Sequence, residues 1–205
     1  LKNPESKNTK GEIYDRFAPH YERVIGPLEK RFLSRLRSET VKAIPANGYI
    51  LEIGAGTGLN FAHYPANACG VASEPSFQMI RIAGAKERPA GVKLLRCSAE
   101  ALPFSDGAFD GALATLVICS VRSPQAAFTE LRRVIKPGGT IALLEHVRPR
   151  NVLGPIFDLL NLTTVPLFDD HFNRRTAALA QQAGLQVVNI ESHALGILQV
   201  IICRT

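Results

Sequence analysis

The stretch from Tyr49 to Gly58, YILEIGAGTG, limits what this chain can become. Residues 49–53 are a short apolar run of β-formers, and glycines follow at alternate positions, Gly54, Gly56 and Gly58. A run that short, bounded by glycine, reads as a buried strand. Glycines at that spacing make a tight turn with exposed backbone, and a helix beginning near Leu59 completes a strand–turn–helix unit. A chain organised around that unit is an α/β protein whose ligand site lies at the turn.

The remaining sequence repeats the alternation. Apolar residues from Ile13 to Ile25 recur at helical spacing, with a kink or break expected at Pro19. A second stripe, Leu28, Phe32, Leu33, Leu36, Val41 and Ile44, predicts a helix with Lys30, Arg31, Arg35 and Arg37 mostly off its apolar side. Further strands are expected at about 69–73, 92–96, 109–118, 140–146, 185–191 and 197–203. Ser76 caps one helix, Ser123-Pro124 opens another, and a third spans about 173–183. Near-continuous apolar strands alternating with helices make a parallel sheet covered on both faces. The last two strands are about five residues apart, too close for a crossover, so they form an antiparallel hairpin. The expected fold is α/β: a doubly wound, mostly parallel seven-stranded sheet with a C-terminal antiparallel hairpin. Residues 1–10 read as a flexible tail and 11–205 as a single domain, with a helical cap at 11–45 and an irregular insertion at 147–171.

Composition removes several alternatives. The 205 residues are 46% hydrophobic and 20% charged, and no apolar run reaches membrane-spanning length, which predicts a globular, cytoplasmic domain. No secretory h-region is visible near Leu1. Four cysteines, Cys69, Cys97, Cys119 and Cys203, lack C-x-x-C spacing, so buried free thiols are expected, with neither a disulfide framework nor a metal site. The net charge is +6, and residues 1–42 hold ten Lys/Arg against six Asp/Glu. That basic segment solubilises a helix face or touches an anionic membrane surface. Trp is absent and no basic groove interleaves aromatics, so nucleic acid is not an expected partner.

The acids around the turn define its ligand. Dinucleotide turns run G-x-G-x-x-G; here the position for the third glycine holds Leu59. Glu52 stands in the strand just before the turn, where a carboxylate opposes a pyrophosphate and suits a cation. Glu74 ends the second strand about twenty residues on, where a carboxylate takes both ribose hydroxyls. A ribose, a positive charge and no phosphate describe S-adenosylmethionine. A nicotinamide-dependent oxidoreductase and a non-catalytic cofactor-binding protein are the rival classes.

Four segments in order resemble the class I S-adenosylmethionine-dependent methyltransferases of the type 11 group. They are Leu51 to Gly58, Val71 to Ser76, Ala99 to Phe104 followed by Phe109-Asp110, and Leu131 to Gly139. The resemblance implies S-adenosyl-L-methionine as cofactor and S-adenosyl-L-homocysteine as product. It implies cofactor contacts at Tyr14, Tyr21, Glu52, Gly54, Ala55, Gly56, Gly58, Asn60, Glu74, Pro75, Met79, Ser98, Ala99, Glu100, Thr115 and Leu116. Many relatives carry Asp where this chain has Ser98, a weaker acceptor for an adenine amino group. Tyr14 and Tyr21 belong to an N-terminal helix expected to close over the cofactor, with a ring face toward the sulfonium.

The acceptor is less constrained. Leu116 to Val121, Glu145 to Val147 and Leu167 to Asp169 resemble the methyltransferase-like 7 branch, and Tyr14 to Tyr21 resembles phospholipid N-methyltransferases and quinone C-methyltransferases. A small or lipid-like acceptor follows, a phospholipid amine or a thiol first and a quinone-type carbon second. Ligands in open α/β sheets bind at the carboxyl ends of strands, which puts Glu145, His146, Asp169 and His171 on the acceptor side. His146 and Tyr21 are the catalytic candidates, with His171 and then His63 ranked below His146, and nothing singles out His20 or His193. The apolar stretch 152–168 suits a pocket wall or a membrane surface.

Overall fold

The computed structural model describes residues 10–149, 154–155, 158–159, 162, 171 and 173–205. Seven strands form one sheet: β1 (Tyr49–Ile53), β2 (Cys69–Ser73), β3 (Gly91–Leu95), β4 (Phe109–Thr115), β5 (Ile135–His146), β6 (Gln186–His193) and β7 (Leu198–Arg204). Their order is β3-β2-β1-β4-β5-β7-β6. The first five are mutually parallel, and β7 runs antiparallel to both β5 and β6. The order reverses between β1 and β4, so a crevice opens at their carboxyl ends.

Alternate residues of the central strands feed two layers. Leu51, Ile53, Ala112, Ala114, Ile141 and Leu143 face one way, onto helix α4 (Pro124–Val134) and helix α5 (Thr176–Gln182). On α4, Ala127, Phe128, Leu131 and Val134 are fully buried at helical spacing, and the Ser123 hydroxyl caps the helix by accepting from the Ala126 N–H at 3.2 Å. On the other face Leu144, Leu198 and Val200 pack against Leu33 and Leu36. Helix α3 (Phe77–Gly84) covers β2 and β3 and is capped by Ser76, which accepts from the Met79 N–H at 3.1 Å.

Several expectations need correcting. Pro19 causes no break: helix α1 runs Lys10–Leu28 with Pro19 and Pro27 inside it. Pro19 is solvent-exposed, and a proline ring can be carried there at the loss of one backbone bond. A wider turn, Glu29–Leu33, closed by the Ser34 N–H on the Glu29 carbonyl, follows Pro27 and leads into α2 (Ser34–Lys42). No α-helix starts at Leu59; a single 3₁₀ turn, Phe61–His63, stands there and Pro65 ends it. Strand β4 stops at Thr115, short of 118, because Leu116 adopts φ 59°. Strand β5 begins at Ile135, with Lys136–Gly139 bulging out between the Phe109–Ile135 and Gly111–Thr140 pairs. All four cysteines are free, but Cys69 is exposed. Among the described residues no helix is long and apolar enough to cross a membrane.

Candidate active site

Gly54, Gly56 and Gly58 all have positive φ, at 60°, 57° and 80°. Their surroundings differ. A Cβ on Gly54 would stand 2.5 Å from the Val117 side chain, and one on Gly58 would stand 2.5 Å from the Phe61 ring. A Cβ on Gly56 would meet nothing within 4 Å. Two glycines therefore let the chain pack on itself, and the third leaves bare backbone facing open space. With only a 3₁₀ turn behind it, this cradle lacks the helix N-terminus that draws phosphate.

Glu74 lies beside the cradle at the end of β2, 6% exposed. Its carboxylate accepts from the Gly56 N–H and from the Ser76 N–H, both at 2.9 Å. Burial pushes its pKa up to about 7, although both N–H groups pull the other way. Ser98 accepts from the Glu100 N–H at 3.2 Å, and the Glu100 carboxylate accepts from the Ser123 N–H at 2.5 Å. Glu100 thus ties the expected adenine side to the start of α4, and Ala99 is buried in the core. Pro75 and Met79 flank the start of α3, where the Pro75 carbonyl accepts from Arg96 Nε at 3.0 Å and Met79 is buried. A carboxylate next to bare backbone, with no phosphate-drawing helix, fits a phosphate-free nucleoside.

Glu52 and Thr115, at the carboxyl ends of β1 and β4, and Asn60, just after the glycine turn, point into a buried polar network. Glu52 is 1% exposed and accepts from Asn60 Nδ2 at 2.6 Å and from the Tyr64 hydroxyl. Burial raises its pKa above the ordinary carboxylate value. Thr115 Oγ1 accepts from Asn60 Nδ2 at 2.9 Å and from Arg37 Nη1 at 2.5 Å. Arg37 also donates to Asn60 Oδ1 at 3.1 Å and, through Nε, to both oxygens of Glu29 at 3.0 and 3.1 Å. Glu52 therefore holds the 58–64 loop closed behind the turn instead of facing a cation. Arg37, Glu29 and Tyr64 were not expected here. Arg37 stands among the basic residues mostly off the apolar stripe, yet it is 3% exposed. The signal was present: position 37 falls between Leu33 and Val41 at spacings of four, on the inward side of α2.

The N-terminal helix crosses this edge. Asp15 accepts from the Ser76 hydroxyl at 2.5 Å and from the Gln78 N–H at 2.8 Å, and Glu22 pairs with Lys86 at 2.6 Å. Tyr21 is carried on α1 with its ring edge-on to Phe17 at 5.9 Å. Burial raises its phenol pKa against the pull of Arg37, and Cys119, Glu29 and Glu74 also act on it, so its hydroxyl lies among the groups of the site. Tyr14 is half-buried on the same helix. Ala55 is buried behind the turn, and Leu116 packs with the Leu33–Leu36 cluster.

On the acceptor side one expectation reverses. Glu145 is fully buried and accepts from the N–H groups of Val117, Ile118 and Cys119 at 2.9, 2.8 and 3.3 Å. It caps the turn after β4 and presents no carboxylate to an acceptor. Arg174 grips the far end of that turn by donating to the Ile118 and Val121 carbonyls. The His171 N–H donates to the Cys119 carbonyl at 3.1 Å, which brings His171 to the same turn. His146 ends β5 beside Glu145 and is 8% exposed. Asp169 lies outside the described residues. His63 is remote from this cluster, 3.5 Å from the Ser34 hydroxyl, with its pKa lowered by burial. It borders a separate apolar cavity of about 310 Å³ between α2 and the amino ends of β1 and β2, at the opposite edge from the site acids.

Residues 51–143 match the family model described as a methyltransferase domain. The chain is 34% identical over 148 residues to the ubiquinone/menaquinone biosynthesis C-methyltransferase UbiE of Syntrophotalea carbinolica, covering 69% of this chain and 62% of that protein. It is 30% identical over 142 residues to the thiol S-methyltransferase TMT1B of Homo sapiens, covering 64% of this chain and 58% of that protein. The chain thus spans less than two thirds of the length of these curated relatives. A crystal structure from Thermotoga maritima, titled an S-adenosylmethionine-dependent methyltransferase, possible histamine N-methyltransferase, superposes with a TM-score of 0.73 at 28% identity, covering 96% of this chain and 99% of that one. Residues 51–143 belong to the methyltransferase domain family, and the sheet that carries them, from glycine turn to antiparallel hairpin, has the Rossmann-like fold of the S-adenosylmethionine-dependent methyltransferases.

Proposed function

We propose that this chain binds S-adenosylmethionine at the carboxyl ends of β1, β2 and β4 and methylates a small, largely apolar acceptor at a thiol. Glu74 carries the cofactor half of this reading. Its carboxylate is buried beside the open Gly56 backbone and needs only to exchange backbone N–H partners for two ribose hydroxyls. Bound S-adenosylmethionine supplies a methyl group on a sulfonium, open to in-line displacement. The acceptor half is supported by where the charges go. An amine acceptor arrives as an ammonium and calls for a nearby carboxylate, but Glu145 spends both oxygens on backbone N–H groups. A thiol needs only a group to take its proton, and His146 at the end of β5 is offered for that role. Tyr21 closes the site from α1 and keeps water from it.

A quinone-type carbon acceptor is the second reading, favoured by the 34% identity to a quinone C-methyltransferase. Two measurements test the proposal. S-adenosylhomocysteine should raise the melting temperature and NAD should not; stabilisation by NAD alone removes the cofactor assignment. Labelled methyl transfer should then favour small aromatic or aliphatic thiols over a demethylated quinol and over histamine. In the thiol assay His146→Ala should lose about 100-fold in rate, and normal turnover would remove His146 from the chemistry.

A further inference from the structure

The cavity of about 310 Å³ that His63 borders includes no residue of the glycine turn and none of the acceptor-side residues. A space that large is well beyond the voids a close-packed interior leaves, and it reaches the size of small-ligand pockets. Its inner wall is aliphatic, with Val41 from α2, Val71 from β2 and Val92 from β3 all buried. Lys42 and Cys69 line it and are exposed, so they mark its mouth. No Asp, Glu or Arg lines it, which leaves Lys42 as its one full charge among the described residues. Lys42 also has no salt bridge among the described residues.

The other polar groups of the wall are spent or uncharged. The Tyr64 hydroxyl donates to Glu52, away from the cavity. Burial lowers the His63 pKa, and the charges of Arg37 and Lys42 lower it further against the pull of Glu29, so the imidazole is neutral at neutral pH. We propose that this cavity binds a small carboxylate with an unbranched alkyl body, its chain against Val41, Val71 and Val92 and its anionic head at the mouth beside Lys42. A neutral apolar ligand would leave Lys42 unmatched, and a cationic one would be repelled by it with no acid in the wall to compensate. The site is separate from the cofactor reading and does not depend on it.

The test measures binding of octanoate, octanol and octylamine by calorimetry. The wild-type chain should prefer octanoate over octanol by about 5-fold, the worth of an exposed ion pair, and bind octylamine most weakly. Lys42→Met should bring octanoate down to the level of octanol while both still bind. Octanoate should also slow alkylation of Cys69 by iodoacetamide, followed by peptide mass spectrometry. Absence of octanoate binding, octanol or octylamine binding as tightly in the wild type, or a preference that survives Lys42→Met overturns the proposal. So does unchanged Cys69 alkylation at saturating octanoate, which would put the ligand elsewhere. Cys69 that is protected without ligand and becomes reactive on dilution of the protein would make a second copy of the chain the occupant, and that also overturns it.

Discussion

Two buried glutamates end two strands of the same sheet and have different work. Glu74, at the end of β2, accepts from two backbone N–H groups and keeps 6% of its surface open beside the bare backbone of Gly56. Glu145, near the end of β5, accepts from three N–H groups and has no exposed surface. Burial raises both carboxyl pKa values. The glycines repeat the contrast: Gly54 is filled by Val117, and Gly56 faces nothing. At this edge a residue that can exchange its partners is available to a ligand. One whose partners are all buried backbone belongs to the scaffold.

The contrast can be broken at four points. The largest effect is expected at Glu145. Glu145→Ala leaves three buried N–H groups without an acceptor and should cost about 3–5 kcal/mol in urea unfolding. A loss under about 1 kcal/mol would show that water replaces the carboxylate and would end the scaffold assignment. Gly54→Ala comes next, at about 2–4 kcal/mol, from the left-handed φ and the clash with Val117. The double variant with Val117→Ala should recover the clash portion; no recovery would place the whole cost in the backbone.

Glu74→Gln is expected to act on binding instead. Affinity for S-adenosylhomocysteine should fall by on the order of 10- to 100-fold. Its pH behaviour separates the two roles further. With a folded pKa of about 7 against an ordinary 4.5, the folded chain holds a proton that the unfolded chain releases between those values. The contribution of Glu74 to stability is therefore complete below about pH 4.5 and is lost as pH rises through about 7, a difference on the order of 3 kcal/mol. Cofactor affinity should move oppositely and rise through pH 7, because the ionised carboxylate is the stronger acceptor for ribose hydroxyls. Stability curves of wild type and Glu74→Gln that run parallel from pH 5 to 8 would contradict this. Gly56→Ala should be the mildest for the fold, about 1 kcal/mol from φ alone. It should still weaken ligand binding about 10-fold by filling the cradle, and unchanged affinity would mean that no ligand approaches there.

The parts of this edge that were legible in sequence are the ones made by near neighbours along the chain. The strand before the turn, the alternate glycines, the caps at Ser76 and Ser123, and Glu74 at the end of β2 follow from local spacing. So does the closing hairpin, whose short connection admits only one pairing. What sequence misplaced depends on contacts across the fold. Glu145 caps a turn 26 to 28 residues upstream, and nothing near it in sequence says so. Arg37 reaches Thr115 across 78 residues. The missing helix after Leu59 is a different kind of error: a glycine turn leads into a helix only when enough residues remain, and Pro65 closes that length. Pro19 misled in the opposite direction, because an exposed proline in a long helix costs one bond and bends little when neighbouring turns are held by packing.

Helix α1 is held to the sheet edge at two points. Asp15 fastens the helix to Ser76 and Gln78 at the start of α3, and the exposed Glu22–Lys86 pair fastens it just past the end of α3. Ser76 donates its own N–H to Glu74, so α1 is tied within two residues of that buried acid. Of the two ties only the Glu22–Lys86 pair lies at the surface, so added salt loosens the far end of α1 and spares the end beside Glu74.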